Sequence, residues 1–418
     1  MYKILKLDLN KLSVILVMMI YSNVLKLVGA YQILSLLIEL WLIFCIIYHI
    51  INIGIKKNNL MIFTLVFILL CLSLIEIFNP NITSLGAGFM GFRKTSIAWN
   101  VFLAALLVEI TEEKVSFFVR KIIIWGFPIL LYGVKQVLFF NEFDNKFIQN
   151  NSAGDYTGKI FGEVRMTSVF SGGAHLGAFS VVMLMLVIYY WKKQFSLKTK
   201  TILSAIAVSS LVCVYGSLSR TMVVVLIVCL LVFFILKSTT ITRVVLLFFT
   251  VLLFSIYNIL NNMDYFQSWL VSNNPLLRML GTIINASSDS RLLGRGVQAN
   301  ELVELVKQHL IIGYGIGSSE AATYLGYITH IVSDNLYLSY LMETGVFGFV
   351  LLLFILFYIS FRLLKNKRTK FLKVVISIFF GTLIMGFTGT TTAMYPVIQI
   401  IFALLGIGIS SQQKKRIS

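Results

Sequence analysis

Long apolar runs recur along nearly the whole of this 418-residue chain. A helix needs about 20 apolar residues to cross the hydrocarbon core of a bilayer, and about twelve runs reach or approach that length. Lipid satisfies no backbone hydrogen bonds, so only helices or a closed barrel can span it, and runs of this length exclude barrel strands. The sequence therefore predicts an all-α integral membrane protein, with spans at roughly 12–29, 31–53, 60–78, 95–111, 116–139, 167–190, 200–217, 219–236, 242–260, 340–361, 372–390 and 393–410.

The composition agrees with a membrane protein and excludes a water-soluble one. Hydrophobic residues make up 58% of the chain and charged residues 12%, whereas soluble domains average about 45–50% and about 25%. The net charge of +18 does not indicate nucleic-acid binding, because the basic residues form short clusters between apolar runs. These clusters occupy alternate connections, at 56–57, 114–121, 192–200, 362–373 and 414–416 among others. The positive-inside rule then predicts that both termini are cytoplasmic.

Several simple classes of function find no support in the sequence. Its four cysteines lie inside apolar runs without disulfide or metal-ligand spacing, and no phosphate-binding loop of the ATPase type occurs. We therefore expect neither a metal nor a cofactor. Basic residues precede the first apolar run, but no small-residue cleavage site follows it, so we interpret this run as an uncleaved span.

The predicted outer connections are long, whereas the cytoplasmic ones are short and basic. We interpret 1–418 as a single polytopic domain with outer loops at 141–166 and 261–332. The second loop contains an amphipathic stretch, 297–310, which predicts a short helix lying on the membrane surface or packed over the bundle. A plain structured linker is the alternative.

Three arginines belong to the predicted outer side: Arg165, Arg220 and Arg291. Arg220 opens an apolar run, and charge at that depth is costly and usually faces a cavity or a partner. A guanidinium binds phosphate oxygens bidentately and keeps its charge, so three arginines on one face could converge on a phosphate-rich ligand. The alternatives are snorkelling to the headgroups for Arg220 and solvated loop charges for the other two.

A glycine-rich segment and a polar cluster follow the amphipathic stretch. Glycine permits sharp turns and close backbone approach to a ligand, which makes Gly315 and Gly317 candidate loop residues, although a simple turn explains them equally well. Beyond them stand His330, Asp334 and Asn335. His330 or Asp334 could take a proton from a hydroxyl group at an outward-facing cavity. Alternatively, His330 is an ordinary loop histidine and Asp334 caps a helix.

Taken together, these residues resemble the superfamily of O-antigen polymerases (Wzy type) and O-antigen ligases. The resemblance rests on Gly313-x-Gly315-x-Gly317, His330, Ser333-Asp334-Asn335-Leu336-Tyr337-Leu338 and Glu343-x-Gly345-x-x-Gly348. Ser219-Arg220 and Arg165-x-x-Ser168-x-Phe170, each before a span, are also similar to that family.

One departure separates the two branches of this superfamily. The ligases carry a histidine before an Asn, Ser or Gln that is followed by nine residues and Gly-x-x-Gly. Here Asn335, Gly345 and Gly348 keep that spacing, but Asp334 occupies the histidine position. This departure favours a polymerase, and nearby His330 could supply the histidine's role instead. The Arg-x10-Gly motif of some polymerases is absent, because Leu176 and Leu302 stand at the glycine positions counted from Arg165 and Arg291.

The resemblance implies a GT-C-like multi-spanning glycosyltransferase with a large outer loop, in a bacterial inner (plasma) membrane. Such an enzyme joins oligosaccharide repeat units carried on undecaprenyl pyrophosphate into O-antigen or capsule, on the outer face of the membrane. Pyrophosphate is already a good leaving group, so the chemistry needs a cationic pocket and a base. We expect Arg220 and Arg291, with Arg165, to hold the pyrophosphate, and Asp334 or His330 to activate the sugar hydroxyl. The resemblance also implies a partner protein that regulates chain length.

Two other functions remain open from sequence. A ligase of the same fold would transfer the finished glycan to an acceptor, whereas a flippase would move the lipid-linked oligosaccharide across the membrane. We expect a flippase to place its charges within the span bundle and to lack a long outer loop. An ion-coupled transporter is disfavoured, because no paired interrupted spans are evident. The acids inside apolar runs, Glu39 and Glu109, are explained as structural partners of nearby polar groups.

Overall fold

A computed structural model describes the chain at 7–28, 30–82, 84–145, 159–160, 163–192, 194–237, 268–271, 277, 281, 290–319, 335–365, 369–389 and 394–411. Within these residues the protein is an all-α, multi-pass membrane protein, as predicted. The exception is a pair of two-residue antiparallel strands, β1 (Lys159–Ile160) and β2 (Glu163–Val164), in the predicted outer loop 141–166. The fold class therefore follows from the apolar runs.

Twelve helices account for most of the described residues. In chain order they are α1 (Leu9–Ser22), α2 (Tyr31–Asn52), α3 (Lys57–Ile75), α4 (Leu85–Leu107), α5 (Glu112–Leu138), α6 (Gly173–Tyr190), α7 (Leu197–Gly216), α8 (Arg220–Lys237), α9 (Ser290–Gln308), α10 (Leu336–Lys365), α11 (Lys370–Gly386) and α12 (Val397–Ser410). Short 3-10 segments extend α1 at Asn23–Val28 and α3 at Glu76–Phe78, and another lies at Ser268–Val271.

Polar side chains set where several helices begin. The backbone N–H groups of a first helical turn have no partner within the helix, and an N-cap side chain supplies one. Asp8 accepts a hydrogen bond from the backbone of Lys11 at the start of α1. Ser84 and Thr369 cap α4 and α11 in the same way.

Seven of the described helices are long and apolar enough to cross a membrane, and α1 and α12 are shorter apolar helices. Large apolar side chains on their outward faces are exposed, including Leu37 (58%), Ile51 (76%) and Phe67 (55%). In water such faces would be unfavourable, whereas in lipid they are the expected surface. The predicted span 242–260 lies outside the described residues, so the count of twelve spans stays a prediction.

The chain divides into two compact units. The first contains Met1–Gly126 and Gln298–Ser418, and the second contains Phe127–Val297. In the first unit α12 lies against α4, where a side chain at Gly406 would stand 2.7 Å from the carbonyl oxygen of Phe102. The rings of Trp99 and Phe402 meet edge to face at 4.7 Å. A small residue thus permits close helix contact, as is common between membrane helices.

The amphipathic stretch forms part of α9, and this helix packs on protein. Leu302 and Val306 are buried in a cluster with Tyr314 and Met342, whereas Glu301 and Glu304 are exposed. The apolar face of α9 therefore covers the segment that follows it and the beginning of α10.

Candidate functional site

Arg165 and Arg220 both belong to the second unit, where they flank one turn. The Arg165 Nε donates a 2.9 Å hydrogen bond to the carbonyl oxygen of Ser217, and the backbone N–H of Met166 donates to Gly216 at 3.0 Å. Arg220 begins α8 directly after this turn, and both arginines are half-buried. We call residues 165–173 and 216–220 the arginine corner. The structure thus brings two of the predicted arginines to one corner.

The backbone of this corner is strained and is held by α5. Ser168 and Leu218 have φ angles of 51° and 46°, in the left-handed region that non-glycine residues rarely adopt. The Gln136 Oε1 accepts from the backbone N–H groups of Thr167 at 3.2 Å and Ser168 at 2.7 Å. The Ser168 hydroxyl donates to the carbonyl oxygen of Ile129 at 2.7 Å. These buried bonds compensate for the strain and fix the turn next to Arg165.

Glycine on α6 allows the arginine to lie across the start of that helix. A Cβ at Gly173 would stand 2.6 Å from the Arg165 Nε and 2.7 Å from the Ser217 carbonyl oxygen, so a larger residue would displace Arg165. His175, two positions later, lies 3.3 Å from the Ser171 hydroxyl through its Nε2. A guanidinium and an imidazole therefore occupy the same end of α6.

The glycine-rich segment 313–317 belongs to the first unit and lies against a break in α10. Gly345, inside α10, has φ 62° and ψ −169°, which interrupts the helix. The backbone N–H groups of Tyr314 and Gly315 donate to the carbonyl oxygens of Met342 at 2.8 Å and Glu343 at 3.1 Å. In return, the N–H of Val346 donates to the carbonyl oxygen of Leu310 at 2.9 Å. We call 310–319 the glycine loop and the interruption at Gly345 the helix break.

Polar side chains hold the glycine loop from both sides. The Glu343 Oε1 accepts from the Ser319 hydroxyl at 2.7 Å and from the Ser319 backbone N–H at 3.3 Å. Asn79 donates to the carbonyl oxygen of Ile312 at 3.0 Å, and Asn81 donates to that of Gly313 at 3.1 Å. The loop is therefore fixed at several points along its length.

The space beside the loop glycines is filled by other atoms of the protein. A Cβ at Gly315 would stand 3.1 Å from the carbonyl oxygen of Glu76, and one at Gly317 would stand 2.5 Å from that of Ala87. Both glycines are buried. Their φ angles of 92° and 88° lie in the range that favours glycine. In this structure the close approach that glycine permits is to the protein itself.

A comparison with known families matches the part of the chain that contains these features. Residues 205–353 match the family model described as O-antigen ligase. This segment is therefore similar to the superfamily of O-antigen ligases and polymerases. The match points to a membrane enzyme of the ligase or polymerase type that processes lipid-linked glycans. No curated protein matches the chain.

The matched segment includes Arg220, the glycine loop and the helix break. Asn335 also falls within the match, and its Oδ1 accepts from the backbone N–H groups of Tyr337 at 2.9 Å and Leu338 at 3.2 Å, so it caps α10. Arg291 lies in the first turn of α9, and its side chain is outside the described residues. His330 and Asp334 are also outside the described residues, and their catalytic roles stay predictions.

Sequence reasoning missed several residues that shape these two regions. Gln136 carried no signal, because an amide near the end of an apolar run does not reveal what it contacts. Glu343 and Gly345 stood inside the quoted motif, but no contact was predicted for them. His175 was visible only as a polar residue near the start of a predicted span.

The acid inside the second apolar run does have a polar partner. Glu39 on α2 pairs with Arg93 on α4, whose Nε lies 2.6 Å from its Oε2, and Arg93 also donates to Ser35. A charge in a membrane helix is tolerated when such a partner satisfies it. This pair thus supports the structural interpretation of Glu39.

Another carboxylate with a cationic partner lies just beyond the end of α5. Asp144 is fully buried and accepts from the Tyr132 hydroxyl and the Asn141 backbone N–H at 2.8 Å each, with Lys135 as its ion-pair partner. Burial raises the pKa of Asp144, but the hydrogen bonds from Lys135, Tyr132 and Asn141 lower it by more, so this pKa lies below its usual value. Asp144 is therefore ionised in the folded protein at neutral pH.

Proposed function

We propose that the chain polymerises undecaprenyl-pyrophosphate-linked oligosaccharide repeat units into a surface polysaccharide on the outer face of the plasma membrane. The observation that carries this proposal is the match of 205–353 to the O-antigen ligase family, over a segment that contains Arg220, the glycine loop and the helix break. The choice of a polymerase over a ligase depends on Asp334, which stands where the ligase motif has histidine.

The proposed reaction transfers a growing glycan from its lipid pyrophosphate to a hydroxyl group of another lipid-linked repeat unit. The C–O bond between the sugar and the pyrophosphate breaks, the acceptor oxygen forms the new glycosidic bond, and the hydroxyl proton passes to a base. We assign Arg165 and Arg220, together with Arg291, to the charge of the departing pyrophosphate, because guanidinium groups bind phosphate oxygens bidentately. We assign Asp334 or His330 as the base. The GT-C-like arrangement, the independence from metal and a chain-length regulator belong to the same proposal.

The arginine corner supports the phosphate-binding part of the proposal. Arg165 is held by Ser217 through its Nε, and both Arg165 and Arg220 are half-buried. Partial burial lowers the effective dielectric and strengthens attraction to an anion. A fixed backbone around the arginines also reduces the entropy lost when a ligand binds.

A ligase of the same superfamily is the second candidate, because the matched family model is described by that activity. The two functions differ in their acceptor. A polymerase elongates lipid-linked repeats, whereas a ligase moves the finished glycan to a different acceptor. Loss of the protein therefore produces different glycans at the cell surface.

The test is the length profile of the surface glycan in a deletion strain that expresses wild type, Arg220→Ala, Arg291→Ala or Asp334→Ala at checked membrane levels. Arg120→Ala is the matched control, because this exposed arginine lies in a predicted cytoplasmic cluster. We expect the deletion and the three site variants to collapse the ladder to a single repeat, with the control unchanged. Long chains stranded on the lipid carrier would instead identify a ligase. Single repeats trapped inside the cell would identify a flippase and contradict the proposal.

A further inference from the structure

Glu343 is a buried carboxylate to which the proposed reaction assigns no role. Only 8% of the residue is exposed, and it lies in α10, a helix apolar enough to span a membrane. An ionisable group in such a segment is costly, so its presence calls for a specific partner or task. Ser319 donates to it through both the hydroxyl and the backbone N–H.

The helix break lets the glycine loop replace hydrogen bonds that α10 does not make. In a continuous helix the carbonyl oxygen of Met342 would accept from the N–H of Val346, four residues later. Instead, Met342 accepts from Tyr314, and the Val346 N–H donates to the carbonyl oxygen of Leu310. The glycine loop and the helix break therefore supply each other's backbone hydrogen-bond partners. Without the other, each would leave backbone N–H or carbonyl groups unpaired.

Glu343 contacts the loop at two separated points. Its carbonyl oxygen accepts from the Gly315 N–H at 3.1 Å, and its side chain holds Ser319 at 2.7 Å. Ser319 is the last described residue before 320–334, the segment that contains His330 and Asp334 in the sequence. The described chain resumes at Asn335, which caps the same half of α10. Glu343 lies eight residues beyond Asn335, so helix geometry places these two residues roughly 12 Å apart along α10.

We propose that Glu343 is a positioning residue for glycan transfer, and this inference rests on the proposed function. Its carboxylate fixes Ser319, and its backbone fixes Gly315, so that one residue sets where the chain leaves the glycine loop. Glu343 contacts neither donor nor acceptor. Its loss therefore lowers the turnover number and leaves the KM for the lipid-linked donor unchanged.

The variants for the test are Glu343→Ala, Glu343→Gln, Ser319→Ala and the double variant Glu343→Ala with Ser319→Ala. Glu304→Ala is the matched control, because Glu304 is an exposed acid on α9. Each purified protein is assayed with lipid-linked repeat units extracted from the deletion strain. Because a buried donor left without its acceptor costs about 1–3 kcal/mol, we expect Glu343→Ala to lower kcat by about fivefold to 150-fold.

Three results would support the positioning role. Glu343→Gln keeps a side-chain oxygen for Ser319 and retains most of the wild-type kcat. The double variant is no slower than Glu343→Ala, because both changes remove the same contact. The donor KM stays within about twofold of wild type in every variant, a difference smaller than one hydrogen bond would produce.

Other results would overturn it. Additive losses in the double variant would show that Ser319 and Glu343 act independently, and a raised donor KM would place Glu343 in binding. Activity that falls only in proportion to the amount of folded protein would reduce Glu343 to a structural residue.

Hydrogen exchange separates this inference from the proposed function, because it needs no activity. In Glu343→Ala the amide of Ser319, which donates to the Glu343 side chain, should exchange faster than in wild type, with Glu304→Ala unchanged. Unchanged exchange in Glu343→Ala would contradict the contact itself. A wild-type protein that makes no polymer from these repeat units would contradict the proposed function, whatever the exchange shows.

Discussion

Substitution of Gly345 by alanine tests whether the helix break is a rigid feature of the fold. The φ of 62° and ψ of −169° at Gly345 lie in a region that is accessible almost only to glycine, and other residues there carry about 1–3 kcal/mol of strain. A Cβ would also stand 2.5 Å from the carbonyl carbon of Ile311 and 2.8 Å from the backbone nitrogen of Ile312. Both atoms are backbone, so the glycine loop itself would have to move.

The cost follows from the bonds that such a movement breaks. The hydrogen bond from the Tyr314 N–H to Met342 is the most buried of those between loop and break, since both residues are at most 4% exposed. Leaving one buried backbone group unsatisfied costs about 1–3 kcal/mol. Strain and one lost bond together predict that Gly345→Ala destabilises the folded protein by about 2–6 kcal/mol.

Two other glycines provide controls that separate the contributions. Gly54 has φ 82° but no atom within 4 Å of an added Cβ, so Gly54→Ala carries strain without overlap, about 1–2 kcal/mol. Gly296 lies in α9 with open space around it, and Gly296→Ala should stabilise slightly, by about 0.5–1 kcal/mol. The measurement is the apparent melting temperature of the detergent-solubilised protein. The reasoning is refuted if Gly345→Ala has the same apparent melting temperature as Gly54→Ala.

Two further predictions concern the second unit. Gln136→Leu removes the acceptor of two buried N–H groups, those of Thr167 and Ser168, and should destabilise the protein by about 2–5 kcal/mol, read as a lower melting temperature. Asp144→Asn should also lower the melting temperature at pH 7, because the lowered pKa of Asp144 means that its ionised form stabilises the fold. That contribution exists above the ordinary pKa of 3.8 and is lost as the pH falls through the lower folded value. The melting temperatures of wild type and Asp144→Asn should therefore converge below about pH 3.8, and a constant difference would contradict the assignment.

The helices could be predicted from the sequence because each helix satisfies the hydrogen bonds of its own backbone. The apolar runs predicted spans such as 31–53 and 116–139, and the structure has α2 and α5 there. One exception is 340–361, which the pattern predicts as a continuous span although α10 is interrupted at Gly345. A single glycine in an apolar run does not reveal whether the helix passes through it or breaks.

The candidate site could be predicted from the sequence only in part. The motifs indicated Arg220, Gly315 and Gly317, but not that the loop glycines would lie against the backbone of Glu76 and Ala87. Nor did the sequence indicate that Gln136 would hold the turn beside Arg165. These contacts depend on where distant helices pack, which no local pattern specifies.

By itself, the sequence determined that this protein is helical and membrane-spanning, because the length and polarity of a run decide whether it can cross lipid. It also fixed the residue types available for phosphate binding and proton transfer. Only the tertiary structure decided which of them meet: Arg165 with Ser217, 52 positions apart, Glu39 with Arg93, 54 apart, and Ser319 with Glu343, 24 apart. The physical reason is that a helix forms through bonds four residues apart, whereas a site forms where separate elements come together.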